Sequence, residues 1–416
     1  MEKAILIGIQ VQGTVRRDVE HSLDELARLT ETAGAYPAIR IIQKRARIDP
    51  AHLIGPGKAQ EIRDIVRTEG ITTVLFDDDL KPVQQKNLEE MIEAKIIDRT
   101  RLILDIFARR ARTREGILQV ERAQLAYYLP RITKKGIWLD SQAGGIGTRG
   151  PGERKMEVDQ RRIRERMARL DRAIEQVRQQ RSVLSKQREE SGQPVVAIVG
   201  YTNSGKSTLL NCLSKSQAVY ADNKLFATLD PTTRQVKLPD GRIALFTDTV
   251  GFINKLPHAL VAAFRATLEE ITRADCLLHL VDVSHPDYPS QIQTVLRVLQ
   301  ELQAEHIPIL TVYNKKDMIP AAENRRLELH DHFLVSARTG DGIDELLDRI
   351  ENIVVPRLSP HKLLLSYNQS SCVAGVFRLA IVKKQRYTER GIRMDIESTP
   401  ASWKKIRSLV KRKIAI

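Results

Sequence analysis

Between residues 1 and 99, short apolar runs alternate with amphipathic stretches. ILIGI (5–9), AIRII (38–42), TVLF (73–76) and KIID (95–98) have the length of buried strands, and the segments near 21–34, 58–69 and 82–93 have helical periodicity. This alternation predicts a small parallel α/β layer domain. The DDD at 77–79 is read as a solvated strand end rather than a metal site.

The period then changes. In residues 154–188 the apolar positions Met156, Ile163, Met167, Leu170, Ile174, Val177 and Leu184 form a heptad seam, which calls for a partner helix. Residues 101–129 supply one through Leu104, Phe107, Ala111, Leu118, Leu125 and Tyr128. The connection from Pro130 to Gly152 makes this an antiparallel hairpin with a glycine-rich tip, a projecting arm about 50 Å long at 1.5 Å per residue. SGQP (191–194) ends the arm. Beyond residue 357, GVFRLAIV and GIRMDIE read as strands and WKKIRSLVKRK as a basic helix. The expected architecture is therefore multidomain α/β: an N-terminal α/β domain (1–99), a helical hairpin arm (100–192), a P-loop domain with a mainly parallel sheet (193–356) and a small basic α+β domain (357–416).

The chemistry enters at residue 195. VVAIV (195–199) reads as a strand, and the loop after it, Gly200, Tyr201, Thr202, Asn203, Ser204, Gly205, Lys206, Ser207, matches GxxxxGK[ST] and leads through Thr208 into a helix. Small residues let backbone N–H groups curl around a β-phosphate at a helix N-terminus. Lys206 reaches the β/γ oxygens and the Ser207 hydroxyl faces Mg²⁺, while Asn203 and Ser204 shape the loop.

Further elements arrive in GTPase order. RIALFTDTVGF (242–252) ends in DxxG, with Asp248, Thr249, Val250 and Gly251; the aspartate can hold Mg²⁺ through water and the Gly251 N–H can sense a γ-phosphate. PILTVYNKKD (308–317) delivers Asn314, Lys315, Lys316 and Asp317, whose carboxylate matches the paired N–H donors of guanine. FLVSARTGDGIDEL (333–346) supplies Ser336, Ala337 and Arg338 behind the base. The switch stretch LFATLDPTTR (225–234) offers Thr228, Thr232 and Thr233 as the Mg²⁺ hydroxyl, and spacing alone does not choose among them. Lys206, the switch threonine and Gly251 are the catalytic candidates. Phe252 stands where many small GTPases carry a water-orienting Gln, so a low isolated turnover is expected.

Charge is distributed unevenly. The net charge of +15 resolves into −3 over 1–94, +7 over 95–135, −1 over 136–153, +5 over 154–190, −4 over 191–356 and +11 over 357–416. Positive charge is therefore concentrated outside the nucleotide segment, as expected of a polyanion binder. Three cysteines without CxxC spacing and no long apolar run point to a soluble, cytoplasmic protein with neither zinc site nor membrane span, and a monomer is expected. The start MEKAILIGIQ reads as a strand, not a signal peptide.

GGIGTRGPGE (144–153) holds a second glycine pattern, GxGxxG. A dinucleotide fingerprint needs a βαβ unit around it, and none encloses this one. A hinge is one reading. The preferred one is a hairpin tip whose Gly144, Gly145, Gly147, Gly150 and Gly152 permit close approach to RNA, with Arg149 and Arg154 on phosphates.

The motifs at 200–208, 225–230, 248–252, 314–317 and 336–338 resemble the GTPase domain of the HflX family. AHLIGPGKAQEI (51–62), RLILDIFARRARTREGILQVERAQLAYYLPRI (101–132) and GGIGTRGPGERKMEVDQRRIRER (144–166) resemble its N-terminal module. The resemblance implies that the FATLD segment, Phe226, Ala227, Thr228, Leu229 and Asp230, lies at the nucleotide with Thr228 as the magnesium ligand. A hydrophobic residue after DxxG is also the family pattern. It further implies binding of GTP and GDP, attachment to ribosomal RNA of the large ribosomal subunit, and splitting of stalled ribosomes. The rival readings are a regulatory GTPase with a protein effector and an RNA-remodelling NTPase; the guanine-matching Asp317 argues against ATP in the latter.

Overall fold

The computed structural model describes residues 2–13, 15–132, 151–191, 193–214, 226, 231–255, 270–320, 333–354, 359–398 and 400–412. The chain forms two compact units, residues 1–237 with 241–343, and residues 238–240 with 344–416.

The first unit opens with a parallel sheet of order β2-β1-β3-β4: β1 (Glu2–Val11), β2 (Ala35–Arg45), β3 (Thr73–Phe76) and β4 (Lys95–Asp98). Both faces are covered, as a parallel sheet requires. On β1, Ile5, Ile7 and Ile9 pack toward α2 (Pro56–Glu69) and α3 (Pro82–Ile92), while Ala4 and Leu6 pack toward α1 (Arg16–Thr32) and α4 (Arg99–Arg110). Helix α2 starts on Pro56, whose fixed φ suits the first helical turn, and stops at Gly70 in the left-handed region (φ 61°).

The single helix expected over 101–129 is two. Helix α4 ends before the extended Ala111, and α5 (Arg114–Tyr128) starts anew with the Thr113 side chain accepting from Gly116 N at 3.0 Å. Helix α6 (Pro151–Ser191) runs 41 residues. It packs on α5 through the expected seam: Leu170 is buried and Ile163, Met167, Ile174 and Val177 are half-buried. Arg166 to Glu121 (2.7 Å) and Arg122 to Asp171 (3.1 Å) tie the two helices. Because α6 begins at Pro151, Gly152 and Arg154 belong to its first turn rather than to a loop. Gly144, Gly145, Gly147, Arg149 and Gly150 lie outside the described residues.

The second sheet has order β6-β7-β5-β8-β9: β5 (Val195–Gly200), β6 (Thr232–Lys237), β7 (Ile243–Asp248), β8 (Cys276–Asp282) and β9 (Ile309–Asn314), with only β6 antiparallel. Helices α7 (Lys206–Ser214) and α8 (Tyr288–Glu301) flank it. The apolar run at 333–335 joins the sheet through one bridge, Tyr313 with Leu334. One apolar cluster runs from Leu6 and Phe107 of the first sheet and its helix to Phe226, Phe252, Ile253 and Val295 of the second half.

The second unit holds α9 (Ile343–Val354, all but its first residue) and an antiparallel sheet of order β10-β12-β11: β10 (Ser359–Leu365), β11 (Ile381–Thr388) and β12 (Gly391–Ser398). Leu363, Leu365, Met394 and Ile396 form its core with Val376 of α10 (Val373–Leu379) and Ile406 of α11 (Pro400–Arg412). GVFRLAIV is thus half helix and half strand; only its AIV end leads into β11. Among the described residues no helix is long and apolar enough to cross a membrane.

Candidate nucleotide site

The site gathers at the carboxyl ends of the second sheet's parallel strands, where open α/β sheets place ligands. Strand β5 is buried almost throughout and ejects the chain at Gly200 into the phosphate loop. Gly205 adopts φ +95°, and a Cβ there would lie 2.4 Å from Asn314 Nδ2, so glycine is required on two counts. Asn203 takes the left-handed conformation, and Ser204 N donates to Tyr201 O at 3.2 Å, which supports their loop-shaping role. Ser204 Oγ is buried without a partner among the described residues, a donor suited to phosphate oxygen. Thr208 lies within the first turn of α7.

Lys206 is buried, its Nζ donating to Gly200 O (3.2 Å) and Tyr201 O (2.9 Å). Burial, with Lys315 nearby, pulls its pKa down to about 8 against the attraction of Asp248. Ser207 Oγ donates to Asp248 Oδ2 at 2.7 Å. A hydroxyl and a carboxylate held together beside the phosphate loop are hard oxygen donors suited to Mg²⁺, which keeps several waters and takes few protein ligands. Ser207 directly and Asp248 through water would hold the ion, which when bound neutralises charge on the phosphate oxygens.

Beyond Asp248, Thr249 Oγ1 donates to Ile198 O (2.7 Å), fixing the turn, and Val250 joins the apolar cluster. Gly251 and Phe252 run beside the loop: Thr202 N donates to Phe252 O (2.7 Å) and Phe252 N to Gly200 O (3.1 Å). The Phe252 ring is 2% exposed and faces the core, not the phosphate loop's solvent side.

The switch threonines separate. Thr232 and Thr233 stand in β6, paired with Asp248 and Thr247, and the Thr233 hydroxyl bonds Thr247 Oγ1 at 2.9 Å. These are ladder positions. Ala227, Thr228, Leu229 and Asp230 lie outside the described residues. Phe226 N donates to Thr202 Oγ1 (3.1 Å), but its ring is edge-on to Phe107 (4.7 Å between centroids) and buried in the core.

The base side is built around Asn314. Its Nδ2 donates to Ser204 O (2.8 Å) and its Oδ1 accepts from Ala337 N (2.9 Å), joining the phosphate loop to the 336–338 turn. Ser336 Oγ donates to Asp317 Oδ1 (2.7 Å), orienting the carboxylate expected to read guanine. Lys315, in the left-handed region, pairs with Asp282 (2.6 Å), and Lys316 pairs with Asp341 (2.6 Å). Arg338 is exposed at the turn. Within β8, His279 is buried with Nδ1 unpartnered among the described residues, and burial beside Lys206 pulls its pKa down to about 4.

Sequence reasoning did not foresee that the first sheet reaches this site. Asp77 is no solvated strand end: it is 1% exposed, accepts from Arg99 Nη1 and Ser22 Oγ (2.7 Å each) and pairs with Lys255. Burial opposes its ionisation, but Arg99 and Lys255 outweigh that and hold its carboxyl below the usual range. Arg99 also bonds Glu25, which accepts from the Tyr201 hydroxyl. One signal was available: β3 and β4 are parallel neighbours with Phe76 opposite Asp98, which places Asp77 beside Arg99.

The order of these parts has counterparts along the whole chain. Family models match as GTP-binding GTPase N-terminal (residues 20–108), GTP-binding GTPase Middle Region (110–188), 50S ribosome-binding GTPase (195–315) and HflX C-terminal domain (322–411). The GTPase HflX of Caldanaerobacter subterraneus subsp. tengcongensis is 43% identical over 412 residues, 98% of this chain and 94% of that protein. The GTPase HflX of Escherichia coli K12 is 39% identical over 410 residues, 97% and 95% respectively. A solved complex of SsGBP with GDP aligns with a TM-score of 0.47 at 24% identity, covering 85% of this chain and 98% of that one. Carrying the four modules in order and the relatives' sequence over nearly its full length, the chain belongs to the HflX family of GTPases.

Proposed function

We propose that this GTPase binds the large ribosomal subunit in its GTP form, through ribosomal RNA, and uses a GTP-dependent binding cycle to split or rescue stalled ribosomes in the cytoplasm. The observation that carries the reading is α6: a 41-residue helix with one seam on α5 and exposed Arg161, Arg162, Arg164, Arg169 and Arg172 on its other faces. A long basic rod attached to an acidic nucleotide domain suits a phosphate backbone better than a protein surface. The second unit adds support, since its sheet register places Lys362 and Lys384 beside Asp395, and Arg386 beside Arg393, on one face. The name of the matching module, 50S ribosome-binding GTPase, points the same way.

In the proposed cycle Lys206 and the loop amides bind the β- and γ-phosphates, Asp317 selects guanine, and Thr228 with Gly251 reports the γ-phosphate. Phe252 offers no group that can orient water, so the water-orienting group comes from elsewhere, and the bound ribosome is the proposed source. The test is sedimentation of the full chain with purified large subunits under GTP, GDP and a nonhydrolysable analogue across a salt series. Binding that requires triphosphate and weakens steeply with salt is expected; binding indifferent to nucleotide, or none, refutes the reading. Replacing residues 144–152 with a short neutral turn is expected to spare GTP binding and abolish splitting.

A further inference from the structure

Three segments that respond to a terminal phosphate in P-loop GTPases rest on the N-terminal layer. Tyr201 of the phosphate loop bonds Glu25 of α1, Phe226 of the switch stretch packs on Phe107 of α4, and Lys255, four residues beyond Gly251, pairs with Asp77 and Asp78 after β3. The Tyr201 hydroxyl also accepts from Asn254 N at 2.7 Å, so one phenol links α1 to the stretch after DxxG. Lys255 holds φ +53°, a conformation a non-glycine residue keeps only under tertiary restraint.

These contacts fix how close DxxG comes to the loop. A Cβ built on Gly251 would lie 2.8 Å from Thr202 Cα and 3.0 Å from Lys206 Nζ. A phosphate oxygen seated between Lys206 and a backbone N–H needs about 2.8 Å on each side. A γ-phosphate oxygen entering between them therefore displaces either the Lys206 ammonium or the 251–255 stretch, and the contacts that hold the stretch resist the second.

We propose that Asp77 and Asp78 acting through Lys255, and Glu25 acting through Tyr201, are positioning residues that hold the DxxG stretch against the phosphate loop and bias the site toward the diphosphate. The charged pairs are supplied by one half of the unit and the phosphate sensor by the other. The preference between GDP and GTP is thus partly set by side chains that touch neither. This rests on the nucleotide chemistry alone and not on the ribosomal reading.

The test compares the affinities of the full chain for a fluorescent GDP and a fluorescent nonhydrolysable GTP analogue, without ribosomes. Lys255→Met removes the ammonium and keeps the stem; the preference for the triphosphate analogue over GDP is expected to rise about fivefold, the scale of one partly exposed ion pair. Lys255→Arg is expected to return it to the parent value. Tyr201→Phe, which deletes only a hydroxyl, is expected to shift it the same way and decides the matter if Lys255→Met does not fold. A purely structural role would weaken both nucleotides by one factor. A preference within twofold of the parent in the folded variants, or one shifted toward GDP, overturns the proposal.

Discussion

Asn314→Ala removes the tie between the two halves of the nucleotide site. Asn314 is 2% exposed, and its partners Ser204 and Ala337 are 0% and 5% exposed, so neither water nor another side chain replaces the lost bonds without rearrangement. The alanine leaves one buried carbonyl, Ser204 O, and one buried amide, Ala337 N–H, without the bonds of 2.8 and 2.9 Å they now make. Each orphaned group costs about 1–3 kcal/mol, so the local penalty is about 4 kcal/mol. The readout is hydrogen exchange at the Ala337 amide, because local opening and not global unfolding of a multidomain chain is being measured. Protection there is expected to fall by about a hundredfold or more, with weaker GDP binding alongside. Asn314→Asp sharpens the test. It keeps an acceptor for Ala337 N–H but sets a carboxylate against Ser204 O, which raises the new carboxyl's pKa. Its defect is therefore present at neutral pH and is relieved as pH falls through that raised value and the group becomes a donor. Unchanged Ala337 protection in Asn314→Ala, or an Asn314→Asp defect that deepens on acidification, would refute the bridging role.

Two further outcomes follow from buried groups. Phe252→Gln, at a ring 2% exposed in the core, should destabilise the fold by about 3 kcal/mol and leave isolated GTP turnover low; phosphate release that rises strongly without ribosomes would show that position 252 can reach the water. His279, with its pKa pulled from 6.5 to about 4, is neutral in the fold and charges more readily when unfolded. Its contribution is therefore complete above pH 6.5 and is lost between 6.5 and 4, up to about 3 kcal/mol at 1.36 kcal/mol per unit. His279→Leu should flatten that window in urea titrations at successive pH values, and an unaltered acid limb would contradict the burial of the ring.

The parallel strands of both sheets were legible because each is a short apolar run bounded by turn residues, whereas the antiparallel β6, TTRQVK, is too polar to show and its first residues read as switch loop. The phosphate loop was legible because its chemistry is local: eight consecutive residues carry it. What escaped reading was long-range. Lys255 meets Asp77 across 178 positions, and Tyr201 meets Glu25 across 176, so no window of sequence joins them. Tyr201 and Phe226 sit inside nucleotide motifs, yet their side chains turn to the other half of the unit. The α4–α5 break was hidden by its own seam, since Leu104, Phe107, Ala111 and Leu118 keep helical spacing across it. Only the Thr113 cap, accepting from Gly116, marks the restart. GVFRL read as a strand because its apolar run is too short to reveal a period; in the fold Val376 reaches the core from a two-turn helix.

The 41 residues of α6 have a mechanical consequence. At 1.5 Å per residue the helix is about 60 Å long, while its packing on α5 is restricted to one narrow seam. The buried centre of that seam, Leu170, lies near the middle of the helix, about 30 Å from either end, so a tilt of about 5° about the seam moves each end by about 2.5 Å. Small rearrangements at the seam therefore become displacements at both ends that are comparable to the length of a hydrogen bond.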